Sequence, residues 1–137
     1  MPCELCESDG GELLWRDLQC RVVRIGDPDH PGFCRVVWNA HVKEVTDLSE
    51  TERLHLMRVV LAVETALRQL LAPDKINLAS LGNMTPHLHW HVIPRFHDDP
   101  HYPNPVWGQK LRATPHTLPG GFKAGLQTAL CAALKTH

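Results

Sequence analysis

Hydrophobic positions along the chain follow two distinct periods. Leu56, Val60, Val63, Leu67 and Leu70 step by four, three, four and three residues, which lines one face of a helix. Ser49 and Glu52 have capping-box spacing at its start, and Pro73 stands just past its end. Together they predict a helix from about Glu50 to Leu71, with Arg53, Glu64 and Arg68 on its other faces. Phe122, Leu126, Leu130 and Leu134 recur every four residues and predict a shorter helix over about Gly120 to Leu134. The remaining apolar runs are short and β-branched. They predict strands at Leu13–Arg16, Cys20–Ile25, Phe33–Trp38, Ile76–Leu81 and His87–Ile93. Turn chemistry from Gly26 to Gly32 makes the second and third of these an antiparallel hairpin. Five prolines between Pro94 and Pro115 predict a long loop over residues 97–118. Helices and strands are segregated along the chain, so the expected class is α+β. An antiparallel sheet of about five strands would carry one long helix and a short C-terminal helix.

Length and charge narrow the possibilities. The 137 residues suit one domain, with residues 1–12 as a turn-rich segment and 97–137 as C-terminal loop and helix. Fourteen basic against fifteen acidic side chains give a net charge of −1, which does not favour nucleic acid or an anionic membrane as partner. No apolar run reaches the roughly 20 residues that span a bilayer, and the polar, acidic N-terminus does not resemble a signal peptide. The expectation is a soluble cytoplasmic protein. Five cysteines, an odd number, argue against a disulfide framework. Cys20, Cys34 and Cys131 stand in apolar settings and are expected in the core.

The chemistry concentrates at His87-Leu88-His89-Trp90-His91-Val92-Ile93-Pro94. In a strand, alternate side chains share a face, so His87, His89 and His91 project together while Leu88, Trp90 and Val92 back onto the core. Pro94 is expected to end the ladder. Imidazole can exchange protons, ligate metal or attack phosphorus. In a row of three, the central ring attacks and its neighbours orient it and hydrogen-bond phosphate oxygens. Two alternatives stand beside this: a His-x-His metal site and a solvent-facing row without function.

Residues 87–93 fit the His-φ-His-φ-His-φ-φ signature of the histidine triad (HIT) family without a mismatch. The resemblance covers about residues 20–96. Gly82-Asn83 stands where the family has Gly-Gln, and the 27–41 block resembles a degenerate form of the family's hairpin, with Phe33 replacing a histidine. Leu78 to Asn83, the Ile-Pro-Arg-Phe after the triad, and Pro105-Val106-Trp107-Gly108 resemble a bacterial subgroup labelled diadenosine-tetraphosphate hydrolase-like. The resemblance implies a HIT-like fold and a hydrolase or transferase acting at the α-phosphate of a nucleotide conjugate through a covalent nucleotidyl-histidine. It implies His89 as nucleophile, His91 at the phosphate and leaving group, and His87 as support or metal ligand. By position Asn83 would replace the family Gln, Asn77 would lie near the phosphate, and Asp27 (or Asp29) would bind ribose. Asn83, Asp27 and Asp29 are equally plain turn formers. No organic cofactor is implied and Mg²⁺ is not required. The competing functions are a metal-dependent hydrolase using the histidine row as ligands and a nucleotide-binding regulatory module with little turnover.

Cys3-Glu4-Leu5-Cys6 is by itself half a zinc site, or two free thiols on a mobile end. It resembles a knuckle of some HIT proteins that implies a structural zinc on Cys3, Cys6, His41 and His87. The family resemblance also implies a homodimer, to which the apolar segment Val59–Val63 hints. Trp107 would pack over a base, seal the site or serve the core, while His97, His101 and His116 are expected as exposed loop residues.

Overall fold

Ser49 Oγ accepts from the Glu52 N–H at 3.2 Å, and Glu52 Oε1 accepts from the Ser49 N–H at 2.8 Å. This reciprocal cap starts the long helix α2, Glu50–Leu71, which Ala72 ends in the left-handed conformation. The computed structural model describes residues 2–113 and 116–135. Thr114 and Pro115, within the predicted 97–118 loop, lie outside the described residues. Before α2 come a one-turn helix α1 (Glu4–Glu7) and strands β1 (Glu12–Arg16), β2 (Cys20–Arg24) and β3 (Cys34–Trp38). After it come β4 (Lys75–Ala79), β5 (His89–Arg95) and helix α3 (Phe122–Ala133). The strands form one five-stranded antiparallel sheet in the order β1-β2-β3-β5-β4. The predicted α+β class and all the predicted helices and strands are present, with ends moved by one or two residues.

Alternation divides the sheet into two faces. Cys20, Val22, Cys34, Val36, Val92 and Ile76 point to one side and meet Leu56, Val60, Val63 and Leu67 of α2 and Leu126 and Leu130 of α3 in the main core. Val23 and Val37 point to the other side and meet Leu5 in a small second cluster. That second layer explains why β2 and β3 are buried on both faces. Arg21, only 4% exposed, ties the N-terminal segment down. It donates to the carbonyls of Leu5, Ser8 and Asp9 and to Asn39 Oδ1. α1 and this anchor have no periodic signature, because both depend on a contact across the sheet.

Several expectations need correction. The triad strand begins at His89 rather than His87, and Pro94 does not end it. Pairing with β3 stops at Val92, whereas pairing with β4 continues to Arg95. The Asp74 N–H donates to the Arg95 carbonyl, so alternation turns the donor-less Pro94 nitrogen away from β4, past the last β3 pair. Cys131 is exposed rather than core, since it falls off the apolar stripe of α3. His101 is buried: its Nδ1 lies 2.8 Å from His30 Nε2. His116 stacks on Phe96, with ring centroids 4.0 Å apart, and lies 2.6 Å from Asp98 Oδ1. Val59, Val60 and Val63 are fully buried, so core packing accounts for most of the Val59–Val63 apolarity. Among the described residues no helix is long and apolar enough to cross a membrane.

Candidate active site

β5 holds His89 and His91 on the sheet face opposite the helices, beside Val37 and Arg35 of β3. His87 lies just before the strand, and its backbone carbonyl sets the orientation of the next ring in the row. The His89 Nδ1–H donates to the His87 carbonyl at 2.6 Å. This fixes the tautomer and leaves Nε2 as the ring's lone pair. Among the described residues no hydrogen bond engages that Nε2. Burial lowers the His89 pKa, opposed by the bond to His87 and reinforced by the charge of Arg35. The neutral ring, able to attack, is therefore the favoured form near neutrality.

His91 meets His89 edge to face, with centroids 4.9 Å apart. Phe33 and Trp107 flank it with centroids at 5.4 and 4.9 Å. Its pKa falls to about 4, first through burial and then through the charges of His89 and Arg35. His91 is thus a neutral polar group, and its buried Nδ1 has no hydrogen-bond partner. Trp107 is 51% exposed beside the site. A groove of about 430 Å³, lined in part by Lys43, Ser80, Gly82, His89 and Trp90, opens alongside. A separate cavity of about 270 Å³, lined in part by His30, Leu71, Pro94 and Leu118, includes none of the triad.

His87 faces a different task. Its Nε2–H donates to the Trp38 carbonyl at 2.6 Å. Nδ1 then carries the lone pair, 3.3 Å from Cys3 Sγ, 3.5 Å from Cys6 Sγ and 3.2 Å from His41 Nδ1. The donor atoms of all four residues lie within 4.8 Å of one another. Two thiols and two ring nitrogens that close are the ligand number, chemistry and spacing of a tetrahedral zinc site, and Trp38 supplies the outer hydrogen bond that such a histidine needs. Among the described residues, neither this group nor a second cluster of possible ligands, Asp17, Cys20 and His55, includes His89 or His91. The histidine row is therefore not a shared ligand set, because His87 turns its free nitrogen toward the cysteines.

The other candidates are dispersed. Asn77 Oδ1 accepts from Arg95 Nη1 at 2.8 Å. Arg95 in turn pairs with Asp99, and both are 2% exposed. Asp27 Oδ1 accepts from the Asp29 N–H at 2.8 Å and closes its own turn, while Asp29 pairs with Lys110. Asn83 stands exposed in the loop before the triad. Sequence reasoning missed Arg35, Phe33 as a wall of the site, and the Arg95–Asp99 hub. Alternation along β3 would have put Phe33, Arg35 and Val37 on one face, but nothing local said that β5 lies beside it.

A HIT domain family model matches residues 10–98. An AP-4-A phosphorylase of Mycobacterium tuberculosis is 28% identical over 90 residues, which are 61% of this chain and 46% of that protein. The chain thus spans about half the length of the curated relatives it matches. The crystal structure of a histidine triad protein from Marinobacter aquaeolei superposes with TM-score 0.78 at 30% identity, covering 97% of both chains. A structure described as a Zn-bound histidine triad family protein, from Mycobacterium smegmatis, shares the fold with TM-score 0.61 at 20% identity, over 89% of this chain and 85% of that one.

Proposed function

Because this chain belongs to the HIT domain family, we propose that it cleaves nucleotide conjugates at the α-phosphate through a covalent nucleotidyl-histidine on His89. The observation that carries this reading is the 2.6 Å bond from His89 Nδ1 to the His87 carbonyl. It orients Nε2 and keeps its lone pair available, which nucleophilic catalysis needs before any other feature. In the first step Nε2 attacks the α-phosphorus. A P–N bond forms as the bond to the leaving group breaks, and the leaving group departs with that electron pair. In the second step water, or another acceptor, forms a P–O bond and displaces the ring. The P–N bond breaks, His89 regains its lone pair and the water proton passes to solvent. His91, neutral and beside the attacking ring, is suited to hydrogen-bond the phosphoryl oxygens. The half-exposed Trp107 is suited to pack against a base.

The matched AP-4-A phosphorylase supports dinucleoside polyphosphates as one substrate class, with phosphoramidates the other. Cys3, Cys6, His41 and His87 would hold a structural zinc. Bound there, it would crosslink the N-terminal segment to the end of the hairpin and the start of the triad, supplying folding energy rather than chemistry. Metal analysis of untagged protein tests this, with about one zinc per chain expected; a content near zero would overturn it. The reading includes a homodimer, with the exposed Leu61 of α2 and the open edge of β4 as the surfaces to be covered.

The deciding experiment offers diadenosine tetraphosphate, an adenosine phosphoramidate and an adenylated lysine to wild type and His89→Ala side by side. Wild type should release AMP from at least one, and the variant should be slower by at least about a thousandfold while keeping its fold. Equal release by both would remove His89 as nucleophile. AMP binding without release from any conjugate would favour a nucleotide-binding module instead.

A further inference from the structure

Three buried or half-buried arginines stand in the sheet face that carries the triad, and the molecule treats them differently. Arg21 has its donors on three carbonyls and Asn39. Arg95 has Asp99, Asn77 and the Asn104 carbonyl. Arg35 has nothing comparable: among the described residues no hydrogen bond or ion pair engages its guanidinium, and its Nε is buried without a partner. A half-buried cation without a counter-charge is costly, and proteins rarely leave one idle. Arg35 is the register partner of His91, whose buried Nδ1 is also unpartnered. Two adjacent polar groups thus lack partners on the face that holds the nucleophile. Glu4 is close enough to bear on Arg35 electrostatically, yet it forms no ion pair with it. At Gly10, with φ of +87°, an added Cβ would fall 2.5 Å from Leu5 Cδ2 and 3.5 Å from Arg35 Nη1, so the N-terminal segment passes close by the guanidinium without giving it a hydrogen-bond partner.

We infer that Arg35, across from His91, forms a second anion subsite next to His89, which takes a phosphate of the substrate other than the one transferred. The inference rests on the proposed role of His89 and deepens it. It selects conjugates that carry a further phosphate, polyphosphates foremost, over conjugates of uncharged groups. A planar guanidinium whose Nη donors no described residue engages is suited to two-point contact with phosphate. The extra phosphate has two chemical sources: the polyphosphate chain leaving with the second nucleotide, or a phosphate on the ribose of the nucleotide retained on His89.

Steady-state kinetics of wild type, Arg35→Gln and Arg35→Lys on three substrates tests this. They are diadenosine tetraphosphate, the 4-nitrophenyl ester of AMP, and that ester bearing a 3′-phosphate. Arg35→Gln should lose about tenfold to a hundredfold more kcat/KM on diadenosine tetraphosphate than on the plain ester, with Arg35→Lys recovering part of the difference. If the selective loss instead falls on the 3′-phosphate ester, the subsite stands but reads the nucleoside side. Equal losses on all three, or no loss on any, would overturn it. Calorimetry with inorganic tripolyphosphate separates this outcome from the fate of His89. Wild type and His89→Ala should bind it and Arg35→Gln should bind at least about tenfold more weakly. Equal binding by all three would sink the subsite even if His89 proves to be the nucleophile. Thermal melts that match wild type exclude misfolding as the cause.

Discussion

His87 and His89 carry the same side chain two residues apart, and one hydrogen bond each gives them opposite tautomers. His89 is tied at Nδ1, which frees Nε2 toward the open face of the sheet. His87 is tied at Nε2, which turns Nδ1 toward two thiols and a second imidazole. Local alternation predicts a common face for the triad but not this division, because Trp38 and Cys3 are distant in sequence. The Arg95–Asp99 pair is local by contrast, four residues apart where β5 runs into the following loop. Burial alone would raise the Asp99 carboxyl, yet the Arg95 guanidinium and the N–H groups of Phe96, His101 and Tyr102 hold it well below the usual carboxylate range. Replacing Asp99 by Ala leaves Arg95 buried and unpaired, so we expect a stability loss of about 3–5 kcal/mol in denaturant melts. A loss below about 1 kcal/mol would show that the pair has water access the structure does not provide.

At the scale of elements, α2 is the most legible part of the chain. Its apolar stripe, capping box and terminal proline all report on residues within a turn or two of one another, so they survive without tertiary knowledge. Both capping bonds are formed, and Ser49→Ala should cost about 1 kcal/mol. Chemical denaturation would read this as a lower midpoint at unchanged slope, and an unmoved midpoint would mean that the helix start is held by packing alone. The ends of β5 are less legible. Its hydrophobic alternation begins at His87, but the ladder begins at His89, since the strand can pair only where β3 and β4 lie alongside. Pro94 misleads for the same reason: a proline breaks a ladder only if its nitrogen faces a partner.

For the whole molecule, the buried histidines make stability depend on pH in a definite direction. His91 and His30 both have their pKa lowered, chiefly by burial, His91 to about 4. The folded state therefore holds them neutral where the unfolded chain, titrating near 6.5, takes up protons. Stability should be level above about pH 6.5 and fall as the pH drops toward 4.5, by roughly 2 kcal/mol from His91 alone. The Asp99 contribution goes only at still lower pH, as its depressed carboxyl protonates. Melting temperatures measured across this range should fall by about 5–10 °C, and a flat profile down to pH 5 would mean that neither ring is buried as described. The sequence by itself determined the fold class, the long helix, the helix-facing core positions and which residues could do chemistry. Those properties repeat at short intervals, and each repeat is a local physical demand. Only the tertiary structure decided which of those residues meet. It gathered Cys3, Cys6, His41 and His87 from distant parts of the chain, left Arg35 unpaired beside His91, and tied Asn77 to Arg95. Those outcomes depend on strand order and on how the N-terminal segment crosses the sheet, and no local period encodes either.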